Sequence, residues 1–599
     1  AACVLMFSFF KFDQKNLLQK VKNRNAKTSK TKTLQSPKIL DGSEIEEATS
    51  KPVLKDIVYS EPSSAYWLKH AIDSGVSQFG IVLANKAFYF SMLTLALMLI
   101  LAGFSYETVE FEGSGRLLPK AMFLLPALIY PSLIFTLVAA AFFSIDMCDR
   151  DRSYRLNLMV DSCPIPTWSV MLSKIIGVAL MAFLLSLIPI ASVLVIQFGQ
   201  GIFETNWSVM FHVLFLVLFP LMLTYGLISI ICYGFLQHKT LAQAVAVILC
   251  ITPAIFNEVK TVENFMYLWA WPFFVQLSDF DASHQYFQRN MQFSLYWLSF
   301  YGVLLVIAYW LWPRGTTQGL TARLREAKQR LSLNSGILIA AFLMIFVWST
   351  TSIHSIMIEQ NRFQTTSEER VERGDYEKRY SKTRDDVQPK IILANLNVEL
   401  FPKERSANYS AELTIENRTQ QAIRQLVVNL AEFSNVMSLS FNQTQLTPVE
   451  IDPVHRRVVY DLPSPLQPDQ KALLDYKLNV SYEGFSNNEF DYHGTIVADG
   501  TLVDDSLWPT FGYDKNRELK SYGIRRQNGL APRKEITTYI NAATHNSLIG
   551  SDNANLIPVR QTIHTDADQI AIGTGNLVAN ILDNDRATYI YETNQAHYW

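Results

Sequence analysis

Seven apolar stretches, each long enough to cross a bilayer as a helix, fall between Phe88 and Met357. They read Phe88 to Phe104, Ala121 to Ile145, Met171 to Ile196, Val209 to Phe235, Thr240 to Phe256, Phe293 to Trp312 and Gly336 to Met357. A helix rises 1.5 Å per residue, so roughly 20 residues cross ~30 Å of hydrocarbon. The first and fifth are therefore short, and the third and fourth are long enough to tilt. From 358 to 599 the chain turns polar and strand-patterned. The expected fold is an α-helical polytopic membrane domain of about seven spans followed by an all-β exported domain, an antiparallel sandwich or saddle.

A mean hydropathy of +0.11 is too low for a wholly embedded chain and fits one divided between lipid and water. The five cysteines, Cys3, Cys148, Cys163, Cys232 and Cys250, all lie in or beside the apolar part. The polar half is then free of disulfides and thiolate metal sites, whatever its redox compartment.

Charge placement gives an orientation. Lys11, Lys15, Lys20, Lys22, Arg24, Lys27, Lys30, Lys32 and Lys38 crowd the segment before the first span, and short basic loops stay cytoplasmic. Alternating from there, the loop with Glu107, Glu110 and Glu112 faces out, that with Arg150, Arg152 and Arg155 faces in, and Phe203 to Thr205 faces out. His238 and Lys239 then face in, 257–292 faces out, and Arg314, Arg323, Arg325, Lys328 and Arg330 face in. The seventh span would export everything after Met357. In a bacterium this places an inner-membrane, multi-pass protein with a periplasmic or extracellular C-terminal part.

Residues 1–10 are apolar without a basic lead-in and read as the end of another span, and the aromatic run at Trp599 stops abruptly. Both suggest an internal piece of a longer polypeptide. Residues 11–63 are polar enough for a flexible cytoplasmic linker. Trp67, Ala71, Val76, Phe79, Val82 and Leu83 recur at helical spacing, which suits a helix lying along the membrane surface. Leu320, Leu324 and Leu331, opposed to basic residues in TARLREAKQRL, suggest another, held to anionic lipid. Trp207, Trp269, Trp271, Trp297, Trp310 and Trp312 sit where an interfacial aromatic belt is expected.

Apart from His212, the spans contain hardly an ionisable side chain. A proton- or ion-coupled carrier would be expected to bury carboxylates or lysines at mid-membrane, because each costs several kcal/mol there. A machine driven by an external ATPase has no such need.

After the second span comes DMCDRDRSYRLNLMVDSCPIPTWSVMLSK, from Asp146 to Lys174. With an amphipathic helix ahead of six spans, this segment resembles the permease of a type-2 ABC exporter. Asp149, Arg150, Asp151 and Arg152 match its acidic-basic stretch, Pro164 and Pro166 its turn, and Lys174 the start of its third span, although the family often has Glu where Asp149 stands. The resemblance implies that this loop is the ATPase-coupling loop. It also implies an ATP-binding ABC subunit as partner, beside the lipid bilayer and either a preceding transmembrane half of the same polypeptide or a second permease. The alternative for the segment is ordinary topology signalling.

Past a charged connector at 358–389, IILANLNVELF, YSAELTIENRT, IRQLVVNLA, VVYDLPSPLQP and LLDYKLNVSYEGF alternate with period two. Asn395 to Pro402, Ala411 to Thr419, Pro465 to Pro468 and Trp508-Pro509 with Phe511-Gly512-Tyr513 resemble the N-terminal β domain of aminopeptidase N-type zinc peptidases. The form that resembles it is the one fused behind ABC permeases, and it usually has Pro-Gly where Pro468-Asp469 stands. A domain division at 64–357 and 390–599 follows.

The zinc chemistry of that family has no counterpart here. It needs His-Glu-x-x-His, two imidazoles one helical turn apart with a Glu to activate water. Of the ten histidines no two lie four apart, and the Gly-x-Met-x-Asn motif is missing. His455, His493, His545 and His564 read as surface or loop histidines. The expectation is no catalytic residue, no metal ligand and no cofactor in this chain, with zinc possible in a full-length protein and ATP on a partner. There is no phosphate-binding Gly-x-x-x-x-Gly-Lys-Ser/Thr, no Gly-x-Ser-x-Gly elbow and no basic-aromatic patch for nucleic acid. The leading reading is a permease component. The alternatives are a membrane-anchored zinc aminopeptidase with its catalytic part beyond 599, and an adhesion or scaffold module on a membrane stalk.

Overall fold

The computed structural model describes residues 63–106, 120–270, 284–315, 319–431, 433–485, 496–497, 500–502, 510–533, 556–583 and 585–597. The segment 1–10, nearly all of the linker, the Glu107 to Glu112 loop, Trp271, His493, His545 and Trp508-Pro509 lie outside them.

Among the described residues seven helices are long and apolar enough to cross a membrane. The first helix, α1 (Ser64–Leu83), is capped by Ser63 and packs along the start of α5 (Thr167–Gly199). The contact is close because Gly75 lies under Ile176, where any Cβ would clash. Between these run α2 (Lys86–Tyr106), α3 (Ala121–Ser153) and the short α4 (Asn157–Ser162). A further span combines α6 (Trp207–His212), a π-helical turn (Val213–Leu218) and α7 (Phe219–Leu236). Then come α8 (Lys239–Glu258), α9 (His284–Trp310), α10 (Leu320–Arg330) and α11 (Leu333–His354), the last prolonged by a π-helical turn, Ser355–Gln360.

Two helices outrun their apolar stretches for physical reasons. α3 continues past Ile145 because its last turns carry Asp146 with Arg150 and Asp149 with Ser153 at i, i+4, which satisfy one another. α9 starts before Phe293 because its polar first turns are buried. There Asn290 lies 3.5 Å from His212, and Gln292 accepts from Ser352. Arg289 is buried beside them with its guanidinium 4.7 Å from the Tyr286 ring centre, so His212 is not the sole ionisable group there. Trp312 is buried against Tyr233 and Trp297 stacks on Tyr301, so these two serve the bundle interior and not an interfacial belt.

The charged connector is structured. Its middle forms α12 (Thr366–Tyr380), opened by a reciprocal capping box between Thr365 and Glu368. Tyr376, Glu377 and Tyr380 are buried.

The strands are β1 (Lys390–Phe401), β2 (Ser406–Glu416), β3 (Ile423–Asn429), β4 (Ser434–Phe441), β5 (Thr444–Gln445) and β6 (Pro448–Asp452). They continue with β7 (Arg457–Leu466), β8 (Lys471–Ser481), β9 (Thr510–Phe511), β10 (Leu556–Asp566), β11 (Asn576–Asp583) and β12 (Arg586–His597). One sheet runs β11-β12-β10-β1-β2-β8-β4-β5 and the second β6-β7-β3-β9. The expected antiparallel sheet is in fact mixed, since β10 pairs parallel with β1, Ala394 opposite Val559. Long chain separation allows that pairing, whereas a short hairpin could not make it.

Alternation sets the core. Leu396, Val398, Tyr409, Leu413, Leu474 and Leu478 point from the large sheet onto Leu426, Val428, Val458 and Tyr460 of the small one. Asp469 has φ +60°, the left-handed conformation that favours glycine, and its amide donates to Asn417. Aspartate is among the few side chains that accept it, so the Pro-Asp turn keeps the shape of Pro-Gly.

Candidate functional site

The end of α3 is the most densely charged part of the helical bundle. Asp149, Arg150, Asp151 and Arg152, expected in a loop, lie in its last two turns, where Asp146 with Arg150 and Asp149 with Ser153, each one turn apart, sustain the helix. α5 brings Lys174 back against them. Its buried ammonium lies 3.1 Å from an Asp151 oxygen and donates to the Met147 carbonyl at 2.8 Å. Asp149 is also buried and accepts from Tyr233 of α7 at 2.9 Å and from Ser153 at 2.5 Å. Asp146 pairs with Arg150 at 3.7 Å and with Lys239, the first residue of α8, at 2.5 Å. Four helices thus meet on one ladder of acidic residues. Arg152 has no ion-pair partner among the described residues.

Past Ser153 the chain turns through Arg155 at φ +59° into α4. None of the α4 residues is buried, and four apolar side chains face outward: Tyr154 (72% exposed), Leu156 (48%), Leu158 (56%) and Met159 (69%). This exposed helix is nonetheless fixed. Asp161 accepts from the Arg314 guanidinium at 3.3 Å and from the Gly315 amide at 2.7 Å. Arg314 donates further to the Ile165 carbonyl and the Thr167 hydroxyl. A buried apolar core normally removes such side chains from water, so this clamped helix and the turn before it stand out by their outward apolar face.

Tyr233, Lys239, Asp161 and Arg314 belong to this site without having been singled out as such. Their partners stand far away in sequence, and only the fold brings them together. The basic residues of α10 also act differently from the expected lipid anchor. Arg323 is buried and donates to the Gly234 and Phe235 carbonyls at 3.1 Å, capping α7. Arg330 does the same at the end of α9 through Tyr309, Trp310 and Trp312. The last carbonyls of a helix lack internal partners and carry partial negative charge, which draws these guanidiniums inward. Arg325 and Lys328 remain exposed.

No family model matches the chain, and no curated protein does. Among solved structures, the M1 zinc metallopeptidase from Deinococcus radiodurans is similar at 16% identity, covering 34% of this chain and 39% of that one, with TM-score 0.23. A mutant of it bound to a Tyr-Ser-Ala substrate is similar at 14% identity and TM-score 0.22, again over 34% and 39%. A two-domain M1 zinc metallopeptidase mutant bound to L-arginine is similar at 13% identity, over 35% of this chain and 40% of that one, with TM-score 0.23. The chain therefore spans about two fifths of the structures it matches.

In the β domain, no group of three His, Cys, Asp or Glu residues comes together as a metal site among the described residues. His455, expected at the surface, is buried. Its Nε2 lies 3.2 Å from Asp375, and its ring sits edge-on to Tyr376 and Tyr380. It helps fasten α12, whose packing no local pattern announces. Tyr380 donates to Asp452 at 2.6 Å. Burial pushes the Tyr380 phenol up to about 12, with the Asp452 hydrogen bond adding to it. Burial also acts to raise the Asp452 carboxyl, but Tyr380 and the His455 and Val454 amides outweigh it and hold it below its usual range. His564 is half-buried beside the Thr588 hydroxyl.

Proposed function

We propose that this chain is the membrane permease component of an ABC-type transporter, moving a substrate across the bilayer with ATP hydrolysed by a separate subunit. The observation that carries this reading is α4 with the turn leading into it, where Tyr154, Leu156, Leu158 and Met159 are exposed and Asp161 is clamped by Arg314. A partner bound there pushes on a rigid lever and not on a loose loop. Beneath it Lys174 ties α5 to α3 through Asp151, Tyr233 brings in α7 through Asp149 and Lys239 brings in α8 through Asp146. Force applied at α4 is thereby shared among the spans.

In this reading seven helices lie in an inner membrane with α4 on the cytoplasmic side, as the placement of basic residues favours. The β domain is then periplasmic or extracellular. It bears the sequence resemblance to the aminopeptidase β domain through Asn395 to Pro402 and Ala411 to Thr419. α11 leaves Leu338, Met344, Val347 and Trp348 exposed, a face suited to lipid or to a second transmembrane half.

A photo-crosslinking residue placed at Met159 tests the docking. Ultraviolet irradiation of cells should trap a protein that mass spectrometry shows to contain a Gly-x-x-x-x-Gly-Lys-Ser/Thr loop and that binds ATP. Adducts to lipid alone, or to proteins that bind no nucleotide, would overturn the reading.

A further inference from the structure

We infer that α9 is a transmission rod that couples the α4 lever to the position of the β domain at the opposite end of the bundle. At 27 residues it is ~40 Å long, at 1.5 Å per residue. Distinct grips hold it, one made by α4 on the segment that directly follows it and one by the β domain near its start.

At the far end, the turn that follows β8 enters the bundle. Phe485 is 2% exposed and packs among Phe265, Met266, Phe293, Tyr296, Ile353, Ile356 and Met357. Its ring centre lies 6.0 Å from that of Phe293 on α9. Among the described residues it is the one β-domain residue in that buried cluster. Gly484, at φ +67°, lets the turn approach so closely that a Cβ would stand 2.6 Å from Ile356. Asn361 locks it by donating to the Ile356, Glu483 and Phe485 carbonyls at 2.8, 3.1 and 3.0 Å. Arg405, beside β2, donates to the Gly484 carbonyl at 2.8 Å.

β8 then carries the turn into the centre of the large sheet. It pairs with β2 from Ser406 opposite Ser481 to Glu416 opposite Lys471, and with β4 on its other edge. A displacement of Phe485 therefore moves the sheet as a body. Where the α11 chain leaves the bundle, the segment Ser355–Gln360 is π-helical, a geometry frequent where helices flex at functional sites. Beyond the near end of α9 the chain runs on through Trp312, whose carbonyl Arg330 holds, to Arg314, which holds Asp161 of α4. The contacts themselves carry the coupling; that ATP hydrolysis drives it rests on the function proposed above.

Cys163, exposed just after α4, is a native probe of the near end, whereas Cys148, Cys232 and Cys250 are buried. In the purified full chain with Cys3→Ser, maleimide labelling of Cys163 is measured for wild type, Phe485→Ala, Arg314→Gln and the double variant. No ATPase is present, so the result is independent of whether one docks. Each single change should alter the labelling rate severalfold, and the double variant should fall well short of the product of the two effects, because both break the same rod. Labelling in Phe485→Ala within about twofold of wild type, or strict multiplicativity, would overturn the coupling. If Phe485→Ala exposes the buried thiols as well, the bundle has opened. Gly484→Ala, which wedges the turn while keeping the Phe485 ring, then decides by the same criterion.

Discussion

The ammonium of Lys174 sits 3.1 Å from an oxygen of Asp151, with the side chain of Lys174 buried and that of Asp151 37% exposed. This asymmetry means that the lysine, not the aspartate, bears the desolvation. Replacing Lys174 by Met would also remove the second donor that the ammonium adds to the Met147 carbonyl. Asp151→Asn strands this buried ammonium without its counter-charge and should cost about 3–5 kcal/mol, whereas Lys174→Met leaves only a partly exposed carboxylate and should cost less. Thermal unfolding of the purified full chain in detergent checks the order. Equal melting of Asp151→Asn and wild type would show the pair to be idle.

The attachment of α12 should depend on pH. Tyr380 and Tyr376 are both pushed up to about 12, burial being the main cause in each. A phenol whose folded value exceeds its unfolded value stabilises fully below about 10, its ordinary value, and that contribution is lost as pH rises through about 12. Asp452 is held low, so its contribution is present above the ordinary carboxylate range near about 3.9 and is lost as pH falls through its lower folded value. Hydrogen exchange of 366–380 should accelerate between about pH 10 and 12, beyond the intrinsic pH effect, and Tyr380→Phe should shift that onset. An onset unchanged in Tyr380→Phe would contradict this role.

Much of the fold was legible in the sequence because apolar periodicity is local. The seven long helices and β1, β2, β3, β7 and β8 follow from runs and alternations inside each segment. α12 was not, since the burial of Tyr376 and Glu377 depends on distant partners such as Tyr513 and His455 for the first and Arg525 for the second. The parallel place of β10 and the inward turn of Arg323 were hidden for the same reason. At the candidate site, the acidic-basic run from Asp149 to Arg152 and Lys174 was named through the resemblance to a permease loop. Tyr233, Lys239 and the Asp161–Arg314 clamp depend on distant helices meeting, which one chain read alone does not show.

The β-domain core gives a plain stability test. Ile415 is fully buried on β2 between the two sheets. Ile415→Ala should cost about 2–5 kcal/mol through lost burial and the cavity left behind. Protease pulses across a urea series on the full chain should cut 390–485 at lower denaturant in this variant. An unchanged midpoint would mean that the core is not packed as described.

Orientation is testable without any partner. With basic loops inside, a reporter fused after Arg330 should be cytoplasmic and one after Tyr380 external. Protection of Tyr380 from protease added to intact spheroplasts would reverse the topology, and with it the side on which α4 lies.

ATP hydrolysis that travels with this chain is the most direct test of the proposed function. The full chain, tagged and expressed in its own host, is purified in mild detergent. Wild type is expected to carry vanadate-sensitive ATP hydrolysis. Leu158→Asp with Met159→Asp should lower it about tenfold or more, by placing two charges in an apolar contact, at an unchanged yield of folded membrane protein. Undiminished hydrolysis with the double variant, or none with wild type, would contradict a permease driven through α4.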